Sequence, residues 1–261
     1  MAKVFAFFNM SGGVGKTTLT MNIAHHLSNL DVPTLAVDMD PQASLTTFLG
    51  ANPFDLEQTI YQSLMSSDVP LPIEESNWYN FVPSNLHLAQ AEMLLTAEFR
   101  REYRLADALN HISDSYEAVV IDGPPSLGLL SINCLVAANY LIVPLSTNYK
   151  AVEATMGLLR VSIELAQKVN PKLRVLGLVP TMFDTRTSSS RRAKEAIHDI
   201  SKQLTMPIFD RLQVFDPVPM RTAISDAQEA HKPLAVFDSK NDGLKVMEEI
   251  AEAMKKEINV K

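Results

Sequence analysis

Gly12, Gly13 and Gly15, followed at once by Lys16 and Thr17, place three small residues, a cation and a hydroxyl within six positions. Glycines let main-chain N–H groups approach phosphate oxygens with no Cβ in the way. Lys16 can then reach the β- and γ-phosphates of a nucleotide, and the Thr17 hydroxyl can sit on Mg²⁺. The run Ser11, Gly12, Gly13, Val14, Gly15, Lys16, Thr17 and Thr18 is read as one phosphate-binding loop. Its commonest form has glycine six residues before the lysine, where this chain has Met10. A variant with paired glycines instead carries a second lysine, where this chain has Ser11.

Two acidic elements complete the chemistry. Asp38-Met39-Asp40-Pro41-Gln42 follows an apolar run, and Asp122-Gly123-Pro124-Pro125 ends another. A carboxylate beside a phosphate loop can orient the attacking water or hold the water shell of Mg²⁺, which dehydrates reluctantly. Asp40 is expected nearer the γ-phosphate and catalytic with Lys16, while Asp38 is the more structural of its pair. Thr17, Asp38 and Asp122 form the expected metal set.

The elements that must position these residues are visible as apolar runs. Val4–Phe8, Thr34–Val37, Ala118–Ile121, Tyr140–Val143 and Val175–Val179 are continuous enough to be strands covered on both faces. Helical spacing runs from Thr17 to Leu30, over Ala151 to Leu165 and from Asp242 to Ile258. Strands alternating with helices predict an α/β, doubly wound and mostly parallel sheet with helices on both faces. In such a sheet the ligand crevice lies at the strand C-termini. Ser11, Asp38, Asp40, Asp122 and Lys150 all fall at that edge. The stretch Ala51–Asn85, rich in Pro, Ser and Asp, reads as loops and short helices.

Composition narrows the class. The 261 residues are 46% hydrophobic and 20% charged, which suits one soluble domain over 1–261. No apolar run is long enough to span a bilayer, and the lone Cys134 gives no disulfide framework, so a cytoplasmic location is expected. A net charge of −7 argues against a generally basic nucleic-acid binder, so any such contact must be local. The densest basic run is Arg186, Arg191, Arg192 and Lys194, able to contact phosphates without reading bases.

Ser11–Thr18, Asp38–Gln42 and Asp122–Leu129 together resemble the three nucleotide motifs of the ParA/MinD family of P-loop ATPases. The likeness extends to Pro180–Asp184 and to Ser225-Asp226-Ala227 with Lys232-Pro233, and so covers nearly the whole chain. The resemblance implies a homodimer that sandwiches ATP and Mg²⁺, binds nonspecific DNA on the nucleoid, and positions an intracellular cargo through an adaptor that stimulates hydrolysis. It places Met182, Phe183, Asp216, Pro217, Val218 and Pro219 around the adenine, and adds Arg221 to the DNA contacts. A membrane partner is not expected, because the last helix mixes Glu248, Glu249 and Glu252 with small apolar residues.

Ser11 departs from the family pattern, in which a lysine crosses the dimer interface to the partner's phosphates. A cation lost about 4 Å from a phosphate forfeits on the order of 4 kcal/mol at an effective dielectric near 20. Lys150 is the expected substitute. A serine with a displaced lysine resembles the cyanobacterial McdA branch, which spaces carboxysomes. The alternatives are a plasmid or chromosome partitioning ATPase, a metabolic ATP-dependent ligase or amidotransferase on the same scaffold, and a switch that has lost hydrolysis.

Overall fold

A computed structural model describes residues 2–112 and 114–260; the side chains of Tyr149, Lys150, Ala151, Val152 and Ala154 lie outside the description. In chain order the elements are β1 (Lys3–Phe7), α1 (Lys16–Asn29), β2 (Thr34–Asp38), α2 (Ser44–Phe48), α3 (Ile60–Met65), β3 (Glu74–Glu75) and β4 (Asn80–Val82). Then come α4 (Leu88–Leu94), α5 (Arg104–Asn110), β5 (Ala118–Asp122), α6 (Leu129–Ala137), β6 (Tyr140–Ser146) and α7 (Tyr149–Lys168). The remainder is β7 (Arg174–Thr181), α8 (Ser188–Gln203), β8 (Gln213–Val214), α9 (Thr222–Glu229), α10 (Leu234–Phe237) and α11 (Leu244–Ile258).

The strands form one sheet in the order β3-β4-β2-β5-β1-β6-β7-β8. Every pairing is parallel except the antiparallel β3–β4 contact at the edge. The five strands expected from apolar runs are present, and β3, β4 and β8 are additional. The order of strand addition reverses beside β1: the connection from β1 leads past β5 to β2, whereas β5 is followed by β6 on the other side. That is a topological switch point, where open α/β sheets bind ligands.

Strand β1 explains why its run is uninterrupted. Val4, Ala6 and Phe8 pack into the layer with α3 to α8, while Phe5 and Phe7 pack into the layer with α1, α2 and α9 to α11. Successive side chains point to opposite faces, and here both faces are covered. Phe5, Phe7 and Phe8 are fully buried. Truncating one of them to Ala would cost about 3–5 kcal/mol. The register carries the acids to the ligand edge, since Asp38 of β2 and Phe7 of β1 both pair with Asp122 of β5.

Candidate functional site

The loop between β1 and α1 is clamped from both sides. Asn9, wholly buried, donates through Nδ2 to the Pro144 carbonyl of β6 at 2.7 Å and accepts from the Ser11 N–H at 3.0 Å. Thr181, at the end of β7, donates to the Val14 carbonyl at 2.9 Å. Gly13 and Gly15 have φ of 68° and 85°. A side chain is strained in that left-handed region, so the turn needs glycine there. Gly15 caps α1, whose first turn therefore presents main-chain N–H groups and the positive end of its dipole to the loop.

Lys16 lies inside this cradle, only 6% exposed, and its Nζ donates to the Ser11 carbonyl at 2.9 Å. Burial lowers the pKa of its ammonium, opposed by the charges of Asp122 and Asp40. The structure thus brings Ser11, Lys16, Asp40 and Asp122 to one edge, as expected.

The three acids divide into different roles. Asp38 is fully buried: Oδ2 accepts from the Thr46 N–H at 2.9 Å and the Thr46 hydroxyl at 2.7 Å, and Oδ1 accepts from the Asp40 N–H at 3.1 Å. Burial raises its pKa to about 7 against these bonds. With both oxygens so engaged, Asp38 anchors the loop that carries Asp40. Asp40 caps the following turn through the Gln42 N–H at 3.0 Å, and burial raises its pKa too, opposed by the Gln42 bond and by Lys16.

Asp122 is the least satisfied. It is fully buried, its Oδ1 meets the Thr20 hydroxyl only at 3.5 Å, and its Oδ2 has no hydrogen-bond partner. Burial, then Asp38 and Asp40, push its pKa well above the carboxylate range, while Thr17 and Lys16 pull the other way. An orphaned buried carboxylate oxygen is costly unless something cationic meets it. Asp122 and Thr17 fit a hard cation such as Mg²⁺, which takes one or two protein oxygens and keeps waters. Among the described residues no group of three or more His, Cys, Asp and Glu gathers as an all-protein metal cage.

Beside the loop opens a cavity of about 620 Å³, reaching from Gly15, Thr18 and Leu19 to Met182, Phe183 and the Val218–Thr222 segment. Phe183 and Pro219 form a bridge that holds two of its walls together. Met182, Phe183, Val218 and Pro219, which the resemblance places around the adenine, line it. Asp216 and Pro217 do not: Asp216 turns to Lys194 of α8, 3.2 Å away. Its carboxylate has a cation of its own, which draws it off the cavity. Gln228 and Ser225 of α9 line the same cavity and were not expected there.

The basic residues are more neutralised than their sequence suggests. Arg186 grips Asp184 at 2.8 Å and holds that carboxyl down to about 2. Arg221 pairs with Asp242 at 2.6 Å, and Lys194 with Asp216. Arg191 and Arg192 are exposed on α8 and take part in no ion pair among the described residues. Arg186 and Arg221 also line the cavity. Lys150 falls in the first turn of α7, and its side chain lies outside the described residues. Among the described residues no helix is long and apolar enough to cross a membrane.

A doubly wound sheet with a glycine-rich loop at its switch point and acids on the neighbouring strand ends defines a P-loop nucleoside triphosphatase. A family model described as an AAA domain matches residues 2–175. The chromosome partitioning protein ParA of Myxococcus xanthus is 34% identical over 248 residues, covering 93% of this chain and 84% of its own. A crystal structure of cobyrinic acid a,c-diamide synthase from Mycobacterium smegmatis, with bound ADP and magnesium, superposes with a TM-score of 0.83 at 31% identity, covering 100% of this chain and 96% of that one. Apo McdA from Cyanothece superposes with a TM-score of 0.85 at 23% identity, covering 97% of this chain and 100% of its own, a likeness of fold. The chain belongs to the ParA/MinD family of ATPases.

Proposed function

We propose that residues 1–261 act as one ATPase domain that binds Mg²⁺-ATP at the Ser11–Thr18 loop, dimerises around it, and partitions or positions an intracellular cargo on nonspecific DNA. The supporting observation is the meeting of Lys16, Asp40 and the orphaned Asp122 oxygen at one strand edge, next to a cavity that begins at Thr18. Thr17 and Asp122 hold the magnesium, whose charge offsets that of the phosphates. Lys16 exchanges the Ser11 carbonyl for phosphate oxygens, and Asp40 orients the water. Met182, Phe183, Val218 and Pro219 receive the base. Lys150 supplies the cation that Ser11 lacks, from across the dimer.

DNA contact falls to α8 and the flanking Arg186 and Arg221. Arg191 and Arg192 are free to meet phosphates, whereas Arg186, Lys194 and Arg221 must first leave Asp184, Asp216 and Asp242. The resulting binding is electrostatic and salt-sensitive. An adaptor on the cargo stimulates hydrolysis and releases the dimer from the nucleoid. A carboxysome cargo rests on Ser11 and its resemblance to the McdA branch; a chromosome or plasmid cargo is favoured by the ParA-like sequence.

A metabolic reading has one specific support, the similarity to the diamide synthase structure. Electrophoretic shift of nonspecific duplex DNA at low salt separates the two. A shift that needs ATP and disappears at high salt supports positioning; no shift under any nucleotide supports metabolic amidation.

A further inference from the structure

We infer that Gln228 is a positioning residue that aims the Thr18 hydroxyl at the nucleotide, an inference that rests on the loop's being the Mg²⁺-nucleotide site. The two residues lie 210 positions apart, yet Gln228 Nε2 donates to Thr18 Oγ1 at 2.8 Å, and both line the 620 Å³ cavity. A threonine hydroxyl has one proton to give and two lone pairs to receive. The amide occupies a lone pair, so the Thr18 proton is left for an acceptor in the cavity, where phosphate and ribose oxygens would lie. A glutamine suits this task because its amide donates without adding charge beside phosphates.

The surroundings fix Gln228 in place. Past its helix, the Leu234 N–H donates to Asn22 Oδ1 at 2.6 Å, and His231 Nδ1 lies 2.9 Å from the Thr47 carbonyl. Asn22 in turn donates to the Thr18 carbonyl at 2.8 Å. These bonds hold the α9–α10 turn against α1 and α2, so the Gln228–Thr18 contact is pre-organised before any nucleotide arrives.

The test is calorimetric titration of the full chain with Mg²⁺-ADP, for the wild type, Gln228→Met and Gln228→Glu. Gln228→Met is expected to weaken binding about 5- to 10-fold, the worth of one hydrogen bond. Gln228→Glu is expected to weaken it further near pH 7.5, since an ionised carboxylate claims the Thr18 proton and repels phosphate. Part of that loss returns at pH 5.5, because neighbouring phosphates raise the carboxyl above its free value of about 4.3 and the protonated form can donate; the wild type gains nothing comparable. In a Thr18→Val background, Gln228→Met should change affinity less than about 2-fold. A wild type that binds no Mg²⁺-ADP overturns the nucleotide reading itself. Wild-type binding with unchanged affinity in both Gln228 variants, even if their melting temperatures fall, makes Gln228 a mere tether and overturns this inference.

Discussion

The Lys16 ammonium and the Ser11 carbonyl are joined by a 2.9 Å hydrogen bond, so the residue that replaces the family's second lysine also holds the first. The bond uses the main chain of Ser11, and any residue at that position would offer it. What Ser11 lacks is a side-chain cation reaching outward. The loop's own cradle is therefore intact, and on the proposed reading the departure concerns what would cross to a second subunit.

If Lys150 fills that role, Lys150→Gln should reduce phosphate release by at least about 10-fold, in line with the weight of cations in phosphoryl transfer. Placing a lysine back by Ser11→Lys in the same variant should recover part of the rate. Malachite-green phosphate assays on the three proteins, with melting curves to confirm folding, give the answer.

Asp122 is a buried carboxylate with one oxygen that no hydrogen bond satisfies, and this has a stability consequence. Asp122→Asn should raise the melting temperature without nucleotide by about 2–4 °C, as relief worth about 1 kcal/mol would. The same variant should lose the stabilisation that Mg²⁺-ATP gives the wild type. Thermal melts with and without Mg²⁺-ATP measure both effects.

The paired histidines of α1 predict acid sensitivity. His25 is 6% exposed, and burial, with a lesser push from His26, lowers its pKa to about 4; burial lowers His26 as well. An unfolded chain protonates His25 near pH 6.5, while the folded one resists until about 4. Between those values the unfolded state binds more protons, so stability is full above pH 6.5 and falls as pH drops toward 4. The loss from His25 is on the order of 2–3 kcal/mol. His25→Gln should flatten the dependence of urea midpoints on pH across that window.

For DNA, the exposed pair on α8 gives a graded expectation. Arg191→Gln with Arg192→Gln should lower the slope of log affinity against log salt by about 2, with little change in sequence preference. Fluorescence anisotropy with an arbitrary duplex at several salt concentrations measures it. Arg221→Gln should matter less, since Asp242 already holds that cation.

Much of this architecture could be read from residues because its signals are local. The inner strands are continuous apolar runs, as sheets covered on both faces require, and the loop at Gly12–Thr17 follows one of them directly. β3, β4 and β8 hold two or three residues each, too few for any periodicity to show. The site divides similarly. Lys16 opens the helix after β1 and Asp40 and Asp122 stand at or just past strand ends, whereas Thr46 as the anchor of Asp38 and Gln228 as the partner of Thr18 depend on contacts between remote segments. Asp216, placed near the adenine by resemblance alone, instead meets Lys194 on a helix that only the fold brings near.

The central claim is tested most directly by Mg²⁺-dependent phosphate release from ATP, measured with duplex DNA present for the wild type and for Lys16→Ala. The account predicts turnover by the wild type and a loss of at least about 10²-fold in the variant, with its fold retained. Equal rates in the two proteins would contradict it.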